Sequence, residues 1–252
     1  MKTVFINCSP KKRFCASSYF LFLQRLFLGG EKVNEKLRTP ADHERILASL
    51  KDAQAVVFGL PLYVDGVPSH VLRFMEEMER YCKENHMSLT VYCIANNGFI
   101  EGRQNEPLMQ IFEHFCHRAD LTWGGGVGIG GGVMLNVTRI LFMVDIALLL
   151  VNTVLSVIHT GNIFSKSAWI SFGENAALLL YFNLGVLFYL GRMARFIRKG
   201  TYSGKKYTRI LIPSFIFILF ADIFFIIISI FEGGLFRGWL AKKKVEKKYP
   251  AR

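Results

Sequence analysis

An open, doubly wound α/β domain of five parallel strands, followed by an all-α transmembrane region of two or three helices, is what the sequence predicts. Three observations lead there. Across residues 1–135, short apolar runs alternate with stretches of helical spacing, the pattern of a parallel sheet with crossover helices. Near residue 136 the charge balance changes: residues 1–136 hold 15 Lys+Arg against 14 Asp+Glu, and the rest of the chain holds 16 against 5. The second part also carries long apolar runs, and cations flanking such runs point to a membrane rather than to nucleic acid. A nucleic-acid reader would need its basic patch on a folded polar surface, so no nucleic-acid partner is expected.

Thr3-Val4-Phe5-Ile6-Asn7 reads as the first strand. It enters Cys8-Ser9-Pro10-Lys11-Lys12-Arg13, and a helix follows through Tyr19, Phe20, Phe22, Leu23, Leu26 and Phe27 until Gly29-Gly30 stops it. Val33 to Leu37 is a second strand, weak by pattern, and Pro40 to Leu50 a helix with Ile46, Leu47 and Leu50 on one face. Ala53 to Phe58 is the third strand. The stretch Gly59 to His70 reads as a long loop from its carboxyl end, leading to a helix over Val71 to Glu84 in which Val71, Phe74, Met75 and Met78 share a face. Leu89 to Ile94 is the fourth strand, and Pro107 to Arg118 the helix after it. Leu121-Thr122-Trp123 opens a fifth strand and leads into residues 124–132, where seven of nine are glycine. Val127 and Ile129 alternate with glycine there, which favours ordered strand and turn over a linker.

The loops after strands one, three and four fall on one edge, the carboxyl edge, where open α/β sheets bind ligands. The first loop is dense in hydroxyls and cations just before a helix N-terminus. Ser9, Lys11, Ser17 and Ser18 there suit a phosphate, because free backbone N–H groups, the helix dipole and serine donors all favour an anion. The loop is neither a Walker A loop nor a GxGxxG turn, and its plainer reading is that Ser17 or Ser18 caps the helix. In the second loop Tyr63 offers a flat face with a polar tip. In the third, Asn96-Asn97-Gly98 precedes a helix, so it is a βα loop rather than a tight hairpin. Asp65, His70, Glu101 and Arg103 read as solvated charges or caps rather than catalysts. No Ser-His-Asp order and no paired carboxylates argue for a hydrolase. The five cysteines are odd in number, contain no CxxC and lack metal-ligand spacing, so no metal site is expected and reduced thiols in a cytosolic domain fit best. Lys2 is followed by a strand-like run too short for an h-region, so no signal peptide is expected.

These motifs together carry a resemblance. Residues 1–135, with Asn7-Cys8-Ser9-Pro10-Lys11, Ala16-Ser17-Ser18, Gly59-Leu60-Pro61-Leu62-Tyr63, Pro68 and Asn96-Asn97-Gly98, are similar to the flavodoxin-like NAD(P)H-dependent FMN reductase and quinone reductase group. The resemblance implies a flavodoxin-like doubly wound five-stranded parallel sheet, with FMN as cofactor and NADH or NADPH as electron donor. It implies that Ser9, Lys11, Ser17 and Ser18 take the FMN phosphate, that Pro61, Leu62, Tyr63 and Val64 line the isoalloxazine ring, and that Asn96, Asn97 and Gly98 close it. It also implies a homodimer. Cys8 departs from the glycine common before Ser-Pro in that group, and Phe14-Cys15 replaces a more polar stretch.

Residues 136–252 read as a membrane region with apolar helices at about 137–159, 172–191 and 210–231, a basic loop at 192–209 and a basic tail at 232–252. The first segment has two readings: a spanning helix with Asp145, Asn152, Ser156 and His159 on one face, or the last helix of the α/β domain lying on the sheet. The third, broken only by Pro213, Ser214, Asp222 and Ser229, is the clearest spanning candidate. Residues 192–209 and the tail each carry seven Lys/Arg, so a single crossing between them sets one cluster against the positive-inside tendency. Three spans, two spans, or a dipping third segment all stay open. Basic clusters beside apolar helices also fit contact with anionic lipid.

The expectation is an integral membrane flavoprotein with its N-terminal domain in the cytoplasm, passing electrons from NAD(P)H to a quinone, a flavin or a redox partner. Two alternatives stand beside it: a non-enzymatic membrane assembly protein, and an FMN electron carrier without nicotinamide turnover.

Overall fold

The computed structural model describes residues 1–12, 14–160 and 166–231. Arg13 of the first loop and the basic tail expected at 232–252 lie outside the described residues. One compact unit runs over Met1–Leu211, and the chain from Ile212 forms a second.

The first unit is built on a parallel sheet of β1 (Lys2–Asn7), β2 (Glu31–Lys36), β3 (Ala55–Pro61), β4 (Thr90–Asn96), β5 (Thr122–Gly130) and β6 (Lys205–Arg209). The strand order is β2-β1-β3-β4-β5-β6. Its first five positions are the 2-1-3-4-5 order of the flavodoxin-like doubly wound fold, with the chain reversing direction between β1 and β3. The helices are α1 (Ala16–Leu26), α2 (His43–Ser49), α3 (Ser69–Glu84), α4 (Glu106–Arg118), α5 (Gly132–Thr160) and α6 (Lys166–Lys199). One-turn 3-10 helices, Pro40–Asp42 and Gly102–Asn105, precede α2 and α4.

Strand alternation splits the core between the two faces of the sheet. Val4, Ile6, Val56, Phe58, Val91 and Cys93 pack with α2, α3 and α4. Phe58 lies at the centre, with ring centroids 5.1 Å from Phe112 and 6.4 Å from Phe74. The opposite face carries Phe5, Val57 and Tyr92, all buried. There Tyr92 donates from its hydroxyl to the carbonyls of Phe196 and Thr201, at 3.2 and 2.9 Å.

The structure departs from the sequence expectation at three places. The sheet has six strands rather than five, because residues 205–209 pair in parallel with β5 instead of lying in a basic loop. β6 is short and charged (Lys-Lys-Tyr-Thr-Arg), which hides it from pattern reading but suits an edge strand that must not recruit another. Residues 192–199, the rest of that expected loop, continue α6. The helix persists because Asn183, Val186, Leu190, Met193, Ala194 and Ile197 bury one stripe of it. Third, Gly59-Leu60-Pro61 belongs to β3 and not to the loop after it. The glycine run is strand to Gly130 and then turn, as its alternation with Val127 and Ile129 suggests: a Cβ at Gly130 would run into the Ile100 carbonyl and the Gly102 amide, so β5 passes against the backbone of the loop after β4.

Of the two readings of the first apolar segment, the one that lays it on the sheet does not describe α5. Its first turn is stitched to the sheet edge, but the apolar window of Gly132–His159 is 0% buried. The helix that covers the sheet after β5 is instead the second half of α6. Its first half pairs antiparallel with α5, through Phe142 stacked on Phe172 (5.3 Å) and Asn175 Nδ2 donating to Asp145 Oδ2 (2.5 Å). An apolar helical hairpin therefore leaves the carboxyl edge between β5 and its covering helix. Both helices are long and apolar enough to cross a membrane, with mean hydropathy 2.4 and 1.5. In the second unit, α7 (Ser214–Phe231) is apolar and has 18 residues, about 27 Å at 1.5 Å per residue, close to the hydrocarbon thickness of a bilayer.

Candidate functional site

The ends of β1, β3 and β4 fix a cavity of about 110 Å³ at the carboxyl edge. It is lined by Ser9, Lys11, Phe14, Cys15, Ala16 and Ser17 from the first loop, and by Pro61, Leu62 and Tyr63 from the second. Asn96, Asn97 and Gly98 from the third loop and Val133 and Asn136 from α5 complete it. Nine of the eleven residues singled out in the sequence thus meet at one place. Ser18 and Val64 do not. Ser18 turns its hydroxyl back to the Cys15 carbonyl at 2.8 Å. Val64 is fully exposed, at the tip of a two-residue turn.

The first loop is held by its own side chains and by a neighbour. Asn7 Oδ1 accepts from the Ser9 amide (3.1 Å), and the Arg38 guanidinium donates to the carbonyls of Lys11 and Lys12 (2.9 and 3.1 Å). The His70 ring donates from Nε2 to the Cys8 carbonyl at 3.0 Å, so His70 is a strut between the first two loops rather than a catalyst. Arg103 lies outside the cavity, 4.0 Å from Glu106. The N-cap of α1 is Cys15, which makes no side-chain cap hydrogen bond. The first amides of that helix therefore lack the usual serine or threonine acceptor, and neither Ser17 nor Ser18 caps it. Asn96 ties the site together, its Nδ2 donating to Ser17 Oγ (3.0 Å) and to the Leu60 carbonyl (2.9 Å). Asn97 donates from Nδ2 to the Glu101 carbonyl at 2.9 Å, which leaves its buried Oδ1 without a partner. Asn136 Oδ1 is likewise buried and unpartnered, while its Nδ2 donates to the Phe14 carbonyl at 2.7 Å.

Burial pushes the Cys15 thiol up, but hydrogen bonds from Ser18, Asn7 and Ser9 outweigh it, so the thiol sits below its ordinary value. Burial, and then the neighbouring Cys15, pushes the Tyr63 hydroxyl up. The other cysteines are all driven up by burial, Cys82 to about 11 and Cys116 to about 12. Among the described residues no group of His, Cys, Asp or Glu could hold a metal ion.

Three open grooves are larger. One of about 390 Å³ lies between α5 and α6, one of about 410 Å³ lies beside Arg192, Arg195 and Arg198, and one of about 310 Å³ lies between α3 and α4. None gathers loops from the strand ends, so the smaller cavity is the candidate site. Sequence reading missed Phe14, Cys15, Ala16, Val133 and Asn136 there. Val133 and Asn136 precede the long apolar run, and only the tight passage of Gly130-Gly131-Gly132 beneath the third loop brings them in. The Gly131 and Gly132 amides donate to the carbonyls of Phe99 and Asn97, at 2.5 and 2.9 Å.

No protein-family model matches the sequence, and neither does any curated protein. Solved structures do match. The Trp repressor binding protein from Bacillus subtilis is 18% identical, with a TM-score of 0.43, over 50% of this chain and 84% of that one. An azoreductase from Bacillus anthracis is 15% identical, with a TM-score of 0.41, over 52% and 87%. An NADPH-quinone reductase from P. pentosaceus is 16% identical, with a TM-score of 0.40, over 52% and 86%.

Proposed function

We propose that this chain is a membrane-tethered flavoprotein oxidoreductase that uses FMN to pass electrons from NADH or NADPH to a quinone, a flavin or a redox partner. The observation that carries the reading is the convergence of three βα loops on one cavity whose polar groups await a ligand. The α1 amides lack a side-chain cap, Lys11 lies beside them, and the Asn97 and Asn136 carboxamide oxygens are buried without partners.

These groups fit FMN. Ser9, Lys11, Ser17 and the first amides of α1 would hold the phosphate. Pro61, Leu62 and Tyr63 would lie along the ring, and Asn97 Oδ1 would accept from a ring N–H. Asn96 spends its amide donors on Ser17 and Leu60, so it holds the loops in place rather than the ligand. A cavity of about 110 Å³ is well below the roughly 300–1,000 Å³ of an enclosed ligand pocket, so the protein would leave part of the ring uncovered. Bound FMN supplies reversible two-electron chemistry, and the chain supplies its binding and orientation. The cytoplasmic placement rests on Arg192, Arg195, Arg198 and Lys199, which lie on the sheet side of the hairpin.

Purification in mild detergent tests the reading. A flavin spectrum that NADH or NADPH bleaches under anaerobic conditions is expected. A colourless preparation that takes up no added FMN overturns it. Flavin that neither nucleotide bleaches favours the electron-carrier alternative.

A further inference from the structure

We infer that the rim of the loop cavity is itself an interfacial membrane contact, with Phe14, Tyr63, Val64 and Phe99 seated among the headgroups of an anionic bilayer. The inference rests on the membrane reading of α5 and α6 and extends it from the hairpin to the α/β domain.

Four large apolar side chains stand exposed on the three loops that form one cavity: Phe14 and Tyr63 line it, and Val64 and Phe99 directly follow the lining residues Tyr63 and Gly98. Phe14 is 56% exposed, Tyr63 43%, Phe99 62%, and Val64 completely. Scattered exposed apolar residues need no explanation, but a set gathered on the loops of one cavity does. The backbone makes the placement more pointed. Val64 and Asp65 hold φ of +48° and +55° in the turn closed by Tyr63 and Gly66, and Phe14 holds +50°. Such a turn is ordinarily filled by Asn-Gly or Asp-Gly, and a β-branched residue at positive φ is strained. Val64 makes up for this strain with no packing inside the protein. A lipid surface would supply what the fold does not.

Continuity with the hairpin supplies the occupant. The Phe99 loop is bonded to the foot of α5 through the Gly131 amide, and the Phe14 loop through Asn136 Nδ2. From Leu141 onward α5 presents exposed Leu, Val and Ile without burial in the unit. A bilayer that takes up that length of helix begins just beyond the foot to which the rim is tied. Lys12, exposed on the same loop as Phe14, complements anionic headgroups at the interface. Aromatic residues with basic neighbours are the composition that interfaces select. The mouth of the cavity then opens toward lipid rather than toward bulk water.

The test uses the full chain in phosphatidylcholine liposomes containing phosphatidylglycerol, with a bimane label on one introduced cysteine at a time. The background carries Cys15→Ser, and the other native thiols are buried. Phe14→Cys, Val64→Cys and Phe99→Cys report the rim. Leu148→Cys reports the hairpin, and Leu26→Cys, on the far end of α1, reports bulk water. The rim labels are expected to be quenched by iodide at least about threefold less than the Leu26 label, and to be quenched by a nitroxide borne on the lipid headgroup. Rim labels that behave like Leu26, with Leu148 quenched from the lipid, would overturn the inference and leave the tether standing. A Leu148 label that also behaves like Leu26 would overturn both. Neither result depends on flavin being bound.

Discussion

The two halves of α6 share one helix and live in two environments. From Asn183 to Ile197, one stripe of side chains is buried against α1 and the sheet, with arginines on the outer face. Before Asn183 the same helix exposes Trp169, Ile170, Leu178, Leu180 and Tyr181, and it touches α5 rather than the sheet. Asn183 marks the junction: it accepts at Oδ1 from the Tyr19 hydroxyl at 3.0 Å and donates from Nδ2 to Leu179. The difference teaches that apolarity alone does not say what a helix is packed against. Periodic burial marks the half that completes the α/β unit, and exposed apolar side chains mark the half that pairs with α5.

The largest effects test that division directly. Leu190→Ala should cost about 2–5 kcal/mol of domain stability in denaturant unfolding, because it empties a fully buried site. Leu180→Ala, half-exposed on the other half, should stay within about 0.5 kcal/mol. Equal costs would erase the distinction. Leu180→Asp should weaken membrane insertion by about 2.5–3.5 kcal/mol, seen as loss from the membrane fraction, with unfolding of the domain unchanged. Retention as strong as wild type would place the first half of α6 outside the hydrocarbon. Asn183→Ala should cost about 1 kcal/mol, since it leaves the buried Tyr19 hydroxyl without its acceptor.

The smallest effect lies in the cavity. Hydrogen bonds hold the Cys15 thiol below its ordinary value, so the thiolate survives to lower pH in the folded chain than in the unfolded one. Iodoacetamide should therefore modify Cys15 with a midpoint below the roughly 8.5 of a free thiol, and added FMN should slow it. A midpoint above that of free cysteine would mean that burial, not the Ser18, Asn7 and Ser9 hydrogen bonds, governs the site.

Much of the α/β architecture was legible because each strand–helix repeat carries its own period. Phe74, Met75 and Met78 declare a helix face, and Val56-Val57-Phe58 declare a buried strand. The three loops were legible because glycine, proline, serine and asparagine punctuate strand ends. Ser18 and Val64 fall outside the cavity lining for a different reason. A residue's neighbours in sequence do not say which way its side chain turns, and Ser18 turns to a carbonyl while Val64 sits at a turn tip. β6 was illegible because an edge strand of five polar residues carries no apolar signature. The role of α6 was hidden because the hairpin separates it from β5 in sequence, so the covering helix arrives more than fifty residues after its strand ends.

The central claim is that the first loop and the α1 N-terminus form a phosphate site for FMN. Comparing FMN with riboflavin by quenching of flavin fluorescence, on purified apoprotein in detergent, tests it most directly, because the two ligands differ only in the phosphate. FMN should bind at least about tenfold more tightly, a difference of about 1.4 kcal/mol, and Lys11→Ala should narrow that gap. Equal affinity for the two flavins, or binding of neither, would contradict the account.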